Sequence, residues 1–466
     1  MNLAVRIVPG AYRDSVALMQ LSSELAALPG IKRAALVMAT PSNLGYLAEA
    51  GLLKEPLKAA PNDVVIALEG RSLDAAFEHA MRSLSEKRER TASELAVLPR
   101  SLAQARAATA DANLALISVP GDYAAAEARK ALRLGLNVML FSDNVALEDE
   151  AALKREAAGR GLLLLGPDCG TSIIDGVRLG FANHVRAGSI GCIGASGTGL
   201  QEVTSLIDRL DEGVSQAIGV GGRDLSEQVG GLATLAALER LGADPDTMVI
   251  VLISKPPAPA VAEKVVAAAA KVGKPVLECF LNSSKTLEDA AYEAVAVLQK
   301  RKPAPRSRQR AEVPKIASPR RYVRGLFSGG TFAYEARLLF EKAGVDLSKN
   351  RVIDLGDDAF TRGRPHPMID PRFRIERIAE DAADREVAVL LLDIVLGDGA
   401  HPDPAGALAP ALEEAAKRGI AVVASVCGTE ADPQIRSKQI AKLEQARVRV
   451  AESNAQAVRL ATAIVQ

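Results

Sequence analysis

Two short strings in this sequence carry the most chemistry. Ser196-Gly197-Thr198 and Ser328-Gly329-Gly330-Thr331 each follow an apolar run of strand length and precede a helical pattern. Glycine lets the backbone approach a ligand closely and turn its N–H groups outward. The following helix directs its positive end to the same spot. Such a turn suits a phosphate or a carboxylate; the plain alternative is a tight strand-to-helix turn with no ligand. Two copies, each with hydroxyls in the same place, favour the anion site.

Other residues join these turns as candidates. Lys255 ends an apolar run just before Pro256-Pro257. There it would neutralise phosphate or a substrate carboxylate, or simply stay solvated. Arg223 and Asp224 follow Gly221 and Gly222. The Arg223 fork would grip a carboxylate, or pair locally with Asp224. Arg364, His366 and Asp370 share a loop stiffened by Pro365 and Pro367, where His366 is an acid–base candidate or a structural hydrogen-bonding group. Asp354, Asp357 and Asp358 cluster at one turn; a helix cap is preferred there over a bound cation. His401, near Asp398 and Asp403, is a further candidate. Cys169 has no histidine nearby to activate it and is expected to pack. No metal site is expected.

The elements that must hold these residues alternate in type. Runs at 3–8, 34–39 and 64–68 have strand character, with helical patterns at 14–27, 42–49 and 73–90. This opening segment, 1–110, is expected to be a small α+β domain of split-βαβ type with a structural or oligomeric role. A second region, 111–187, has buried-type strands at 114–119, 138–141 and 162–165 joined by helices, hence a parallel Rossmann-like sheet. It closes on the turn Gly166-Pro167-Asp168-Cys169-Gly170-Thr171. A third region spans 188–300, and a linker, 301–321, is rich in proline. Between Lys300 and Arg310 there are six basic residues, expected to be a solvated tether. The fourth region spans 322–466.

The third and fourth regions repeat each other. The Ser196 turn with Glu202 matches the Ser328 turn with Glu335. The block from Ile218 to Asp224 matches that from Ile353 to Asp358, the block from Met248 to Lys255 matches Val389 to Gly397, and Pro275 to Asn282 matches Ala421 to Gly428. Each block is a strand ending in a polar or glycine-rich turn. In an open parallel sheet, ligands sit beyond such strand ends. Two facing units would aim two helix N-termini at one anion.

Composition sets the outer bounds. The chain has 466 residues, enough for three or four units. Aromatics make up 3% and tryptophan is absent, so the cores are aliphatic. Lys plus Arg and Asp plus Glu are 57 each, which argues against nucleic acid as the main partner. Four widely spaced cysteines and an opening run that reads as a strand point to reduced thiols in a cytoplasmic protein. No run reaches the ~18 apolar residues of a membrane span, so no membrane partner is expected.

These motifs resemble those of succinyl-CoA synthetase and its relatives. The Gly166 to Gly170 turn is similar to that family's G-P-N-C-P-G, Ala195 to Thr198 to its S-R-S-G-T phosphate turn, and Gly219 to Asp224 to G-I-G-G-D. Leu396-Gly397-Asp398-Gly399 stands where the family has an F-G-G turn. Within the superfamily the chain resembles the FdrA branch, through Phe141-Ser142-Asp143-Asn144, Gly221 to Ser226, Ser254-Lys255-Pro256-Pro257, Gly363 to Asp370 and Cys427-Gly428-Thr429-Glu430. The resemblance implies an α/β fold with a small α+β domain, a Rossmann-like domain of CoA-binding type and two tandem flavodoxin-like domains of the synthetase type. It also implies one of two activities. One is a subunit of oxamate carbamoyltransferase, which converts oxalurate and phosphate to oxamate and carbamoyl phosphate in allantoin breakdown. The other is an acyl-CoA synthetase subunit.

Three departures bear on that choice. The synthetase carries phosphate on a histidine, yet 279–289 contains none, and the whole chain has only His79, His184, His366 and His401. The glutamate turn that holds that histidine is replaced by Ser254-Lys255-Pro256-Pro257. No glycine loop precedes the second region's first strand. The carbamoyltransferase is therefore the main expectation, the synthetase subunit the alternative, and a non-catalytic scaffold a third. Catalytic candidates are Lys255, Arg223, His366 and Arg364. Substrate and phosphate candidates are Gly170, Thr171, Ser196, Gly197, Thr198, Gly221, Gly222, Asp224, Ser328, Gly329, Gly330, Thr331, Gly397 and Gly399. Phosphate is expected as a co-substrate, CoA is not expected, and the partners are a small anionic substrate and other subunits in a homo- or hetero-oligomer.

Overall fold

A computed structural model describes residues 2–13, 15–85, 99–281, 285–303, 316–361 and 365–466. The first unit runs β1 (Asn2–Val8), α1 (Ser15–Ala26), β2 (Ile31–Met38), α2 (Pro41–Glu49), β3 (Val64–Gly70) and α3 (Asp74–Ser85). Its strands are ordered β1-β3-β2, with β3 antiparallel to both neighbours. This is the expected split βαβ, since β1 and β2 run the same way with β3 between them. Part of the helix expected at 73–90 lies outside the described residues. After α4 (Leu102–Ala108), the second unit is β4 (Leu114–Ile117), α5 (Gly121–Arg133), β5 (Asn137–Leu140), α6 (Leu147–Gly159) and β6 (Leu164–Leu165), a parallel sheet.

The third unit holds β7 (Thr171–Ile174), β8 (Val177–Gly180), β9 (Ala187–Gly194), α7 (Gly197–Arg209), β10 (Val214–Gly219), α8 (Leu232–Ala243), β11 (Val249–Ser254), α9 (Pro259–Ala269), β12 (Val276–Phe280) and α10 (Leu287–Leu298). The fourth holds β13 (Tyr322–Phe327), α11 (Gly330–Lys342), β14 (Arg351–Asp354), α12 (Asp358–Thr361), α13 (Arg372–Ala383), β15 (Val387–Val395), α14 (Pro404–Lys417), β16 (Ala421–Cys427), α15 (Arg436–Gln445), β17 (Arg449–Ala451) and α16 (Asn454–Val465). The linker expected at 301–321 falls mostly outside the described residues. β7 and β8 correct one expectation. The sequence placed 171–180 in the second region, but β7 pairs antiparallel with β10 and so extends the third unit's sheet.

The two sheets share one topology. The third is ordered β12-β11-β9-β10-β7-β8 and the fourth β14-β13-β15-β16-β17. Matching β9 to β13, β10 to β14, β11 to β15 and β12 to β16 gives the same flavodoxin-like strand order in both. Their strands alternate faces with period two. Val249, Val251 and Ile253 of β11 enter one core, while Ile250 and Leu252 enter another with α8 and α9. The first of these cores is common to both units. It joins Leu200, Val203 and Ile207 of α7 and Leu287 and Ala294 of α10 to Phe332, Ala336 and Phe340 of α11 and Ala457 and Ala461 of α16. Fully burying a side chain of the Leu or Phe class stabilises by roughly 1.5–3 kcal/mol, so the two repeats hold each other by their interiors. No helix among the described residues is long and apolar enough to cross a membrane.

Inside that interface the repeats exchange carboxylates. Glu202 of α7 accepts a hydrogen bond from the Asn454 N–H at the start of α16, 3.0 Å away. Glu335 of α11 accepts from the Leu287 N–H at the start of α10, at 2.8 Å, and from Asn454 Nδ2, also at 2.8 Å. Each central helix thus caps the last helix of the other repeat. Burial raises both carboxyls, and Glu335 reaches about 7 despite the hydrogen bonds from Asn454 and Leu287.

The folded chain therefore holds the Glu335 proton more tightly than the unfolded chain, whose carboxyl titrates near 4.5. Stability is greatest below the unfolded value and is lost as pH rises through the folded one, by about 3 kcal/mol in total. Urea midpoints measured from pH 5 to pH 8.5 should fall over this window. Glu335→Gln should flatten most of that slope; an unchanged slope would assign the pH dependence elsewhere.

Candidate functional site

The two glycine turns meet. Gly194 ends β9 in a tight bend, where a Cβ would lie 2.4 Å from Leu200 Cγ. Ser196 then adopts an extended backbone and caps α7, its Oγ accepting from the Gly199 N–H at 2.9 Å. In the other repeat Gly329 begins α11 with no side-chain cap. Its turn is held from below instead. Asp393, fully buried in β15, accepts from the N–H groups of Ser328 and Gly329, both at 2.8 Å, and from Ser328 Oγ at 2.9 Å. Arg374 donates to Asp393 at 2.6 Å and balances its charge.

Across the interface Ser196 Oγ lies 2.5 Å from Thr331 Oγ1. The reciprocal contact joins Thr198 to Gly329, where a methyl on the glycine would be 2.9 Å from Thr198 Cγ2. Ser196 and Thr198 are the counterparts of Gly329 and Thr331, so the two contacts are the same one with the copies exchanged, which is an approximate twofold relation. Thr171 Oγ1 also approaches Gly197, 3.5 Å from where its Cβ would be.

Beside the α11 end lies a cavity of about 330 Å³ lined by Lys255, Gly330, Tyr334, Arg337, Asp354 and Asp357, among others. Lys255 arrives from the end of β11 in the first repeat, and its ammonium is 5.8 Å from the centroid of the Tyr334 ring. Asp354 ends β14. Its Oδ1 accepts from the Gly356 N–H at 2.9 Å, and its Oδ2 packs so closely on Gly330 that a methyl there would be 2.4 Å away. Burial raises the Asp354 carboxyl to about 6, against the Gly356 hydrogen bond and the Lys255 charge, which lower it. The Lys255 ammonium and the positive N-terminal end of α11 suit a small anionic ligand.

The remaining candidates are placed elsewhere. Arg223 and Asp224, expected to grip a ligand, instead pin α6 of the second unit to the third. Lys154 is buried with Glu150 at 3.0 Å and Asp224 at 2.8 Å, and Arg223 binds the second Glu150 oxygen at 2.9 Å. Two buried carboxylates need two cations, so Arg223 serves the network. Asp224 also accepts from the N–H groups of Ala233 and Thr234 at the start of α8. Gly221, at φ +89°, lets the chain pass Pro167, whose carbonyl oxygen would be 2.6 Å from a Cβ, while Gly222 has open space. Gly170 lies beside Phe181. Gly397 and Gly399 abut Ala182 and the Phe181 ring, and Asp398 between them pairs with His184 at 2.9 Å and Arg178 at 3.2 Å.

His366 stands near the second turn, but its imidazole is pushed down to about 4 by burial, so it is neutral at pH 7. Its Nδ1 accepts from the Met368 N–H at 3.2 Å. Arg364 lies outside the described residues. Asp370 pairs with Arg372, Asp357 accepts from the Ala359 N–H, and His401 Nδ1 accepts from the Asp403 N–H. Burial raises the Cys169 thiol to about 11, as packing requires. No group of three His, Cys, Asp or Glu side chains fit to hold a metal occurs among the described residues. Sequence reasoning missed Asp393, Tyr334 and Arg337. Asp393 had a signal: it is the one charge within the apolar run Val387–Val395.

Comparison with known proteins gives three family matches. The CoA-ligase model matches residues 326–464, the CoA-binding domain model 185–281, and a model described as AllF, heavy metal-associated domain, 1–97. The CoA-binding match thus falls on the unit containing α7, whereas the sequence reading put that domain type at 111–187. Residues 1–97 contain no cysteine and one histidine, His79. The chain is similar to the uncharacterized protein YahF of Escherichia coli K12, with 42% identity over an alignment of 500 residues covering 97% of each chain. It is also 31% identical, over 150 residues, to the alpha-2 subunit of the ADP-forming succinate–CoA ligase of Trichomonas vaginalis, covering 31% of this chain and 47% of that subunit. Among solved structures it matches a dinucleotide-forming acetyl-coenzyme A synthetase 1 of Ca. Korarchaeum cryptofilum at 17% identity, over 76% of this chain and 82% of that one, with a TM-score of 0.32.

The hydroxyl contact between the turns is testable as a coupling. Ser196→Ala removes the α7 cap and the bridge, and Thr331→Val removes the bridge alone; each should cost about 1 kcal/mol. In a double-mutant cycle by urea denaturation, the two losses should fall short of additivity by about 0.5 kcal/mol or more. Strict additivity would mean that the turns do not bond.

Proposed function

The chain belongs to the FdrA-like family that includes YahF, within the succinyl-CoA synthetase superfamily, and we propose that it is the group-transferring subunit of a carbamoyltransferase acting on oxalurate and phosphate. The observation that carries this reading is the cavity at the α11 end, where Lys255 of one repeat faces Asp354 and the helix start of the other. The reaction needs no side-chain nucleophile. A phosphate oxygen attacks the terminal carbamoyl carbon of oxalurate, a C–O bond forms, and the C–N bond to the oxamate half breaks. The proton of hydrogen phosphate passes to the departing nitrogen, leaving oxamate and carbamoyl phosphate. In this reading Lys255 neutralises the reacting anions, the N-terminal N–H groups of α11 stabilise the developing oxyanion, and the walls hold the two reactants together.

A second reading is an acyl-CoA synthetase subunit. It is favoured by the CoA-ligase match at 326–464 and the CoA-binding match at 185–281. Against it stands 279–289, which has no histidine to carry phosphate. Any phosphoryl carrier would have to come from another chain.

The deciding assay supplies oxalurate and phosphate to this chain, alone and with the products of neighbouring genes, and measures carbamoyl phosphate. Lys255→Ala should lower product formation by about 10²-fold or more. Formation of a CoA thioester from nucleotide, with no carbamoyl phosphate under any combination, would replace this reading with the second. Product unaffected by Lys255→Ala would move the site elsewhere.

A further inference from the structure

The repeat makes two pseudo-equivalent places, and only one is furnished. By the repeat alignment and the sheet register, Lys255 corresponds to Val395, Asp354 to Gly219 and Gly330 to Gly197. At the α7 end, two of these positions are glycine and the third is a buried valine, so none is charged, and the chain itself fills the space. The Thr171 carbonyl oxygen would be 2.3 Å from a methyl on Gly219, and the Ala182 carbonyl oxygen 2.8 Å from one on Gly397. At the α11 end the space stays open at about 330 Å³, with charged groups from both repeats on its walls.

Those charges do not pair. Among the described residues no carboxylate lies within 4 Å of the Lys255 ammonium, and no hydrogen bond reaches Asp354 Oδ2, although Oδ1 is satisfied by Gly356. A cation and an acceptor that share a wall yet stay apart leave room for a ligand that bridges them. Lys255 accepts any anionic end. An ionised Asp354 repels a second anionic end and welcomes an N–H donor.

Resting on the reading of this cavity as the substrate site, we propose that Asp354 is its specificity-determining residue: Oδ2 accepts an N–H from the far end of a short ligand whose carboxylate lies on Lys255. Ligands with a carboxylate and an amide are then selected over dicarboxylates of the same size.

The test is a binding measurement without turnover. Oxamate and oxalate are titrated by calorimetry into the full chain at pH 8. They share one carboxylate and differ in an amide against a second carboxylate. Wild type should prefer oxamate by about tenfold or more. Asp354→Asn should erase or invert that preference, and Lys255→Met should weaken both ligands. Gly330→Ala, whose methyl would meet Oδ2 and displace the carboxylate without changing charge, should also erase the preference, which covers a folding defect in Asp354→Asn. An Asp354→Asn variant that folds and keeps the wild-type ratio would overturn the proposal, as would failure of the folded wild type to bind either probe. Absence of carbamoyl phosphate in the activity assay, with the binding preference intact, would fail the reaction but leave the role of Asp354 standing.

Discussion

Everything about the candidate site depends on how α7 and α11 are held against each other. Their first turns touch through Ser196 and Thr331 and through Thr198 and Gly329. One turn further along, Glu202 and Glu335 reach across to cap α16 and α10. These contacts repeat about one approximate axis, so they fix distance and rotation together. A shift of either helix would break the hydroxyl contact, uncap a helix and open the shared core at the same time. The carboxylates carry a cost, since burial disfavours their charged forms and raises both carboxyls. That cost is offset by the N–H groups they satisfy, which would otherwise be buried without partners.

Much of the fold was legible in the sequence because parallel sheets write themselves plainly. Strands buried on both faces leave continuous apolar runs, as in Val249–Ser254 and Val387–Val395. The duplication was legible for the same reason, since each strand ends in a turn of conserved character between the copies. The boundary at β7 was not. A hairpin at a sheet edge has short strands, and nothing local in 171–180 says which of two adjacent sheets it will join. Pairing partners are decided by tertiary packing, which periodicity does not record.

The site was legible only in part. The turns around Ser196 and Ser328 came together as their repetition implied, and Lys255 stands beside them. Arg223 was misread because its partner, Glu150, is 73 residues away and buried. A glycine turn bearing Arg and Asp looks the same whether it faces a ligand or a neighbouring helix. Gly221, Gly397 and Gly399 pose a similar problem: glycine marks close approach by something, and here the neighbour is the chain itself. Of the clustered Asp354, Asp357 and Asp358, one was expected to cap a helix, and Asp357 does so, which leaves Asp354 three residues earlier to face the cavity.

The shared core also means that the two repeats form what would elsewhere be a dimer, permanently tethered and at fixed stoichiometry. In a symmetric pair of identical chains, any substitution appears twice, so a lysine gained at one site is gained at both. Joining the halves in one polypeptide lifts that restriction. It allows Lys255 to stand where its counterpart is Val395, and the hairpin of β7 and β8 to fill one place while its twin stays open. Tethering also holds the halves at a high effective concentration. The interface therefore need not be optimised for partner search, and its buried polar groups are free to serve geometry instead.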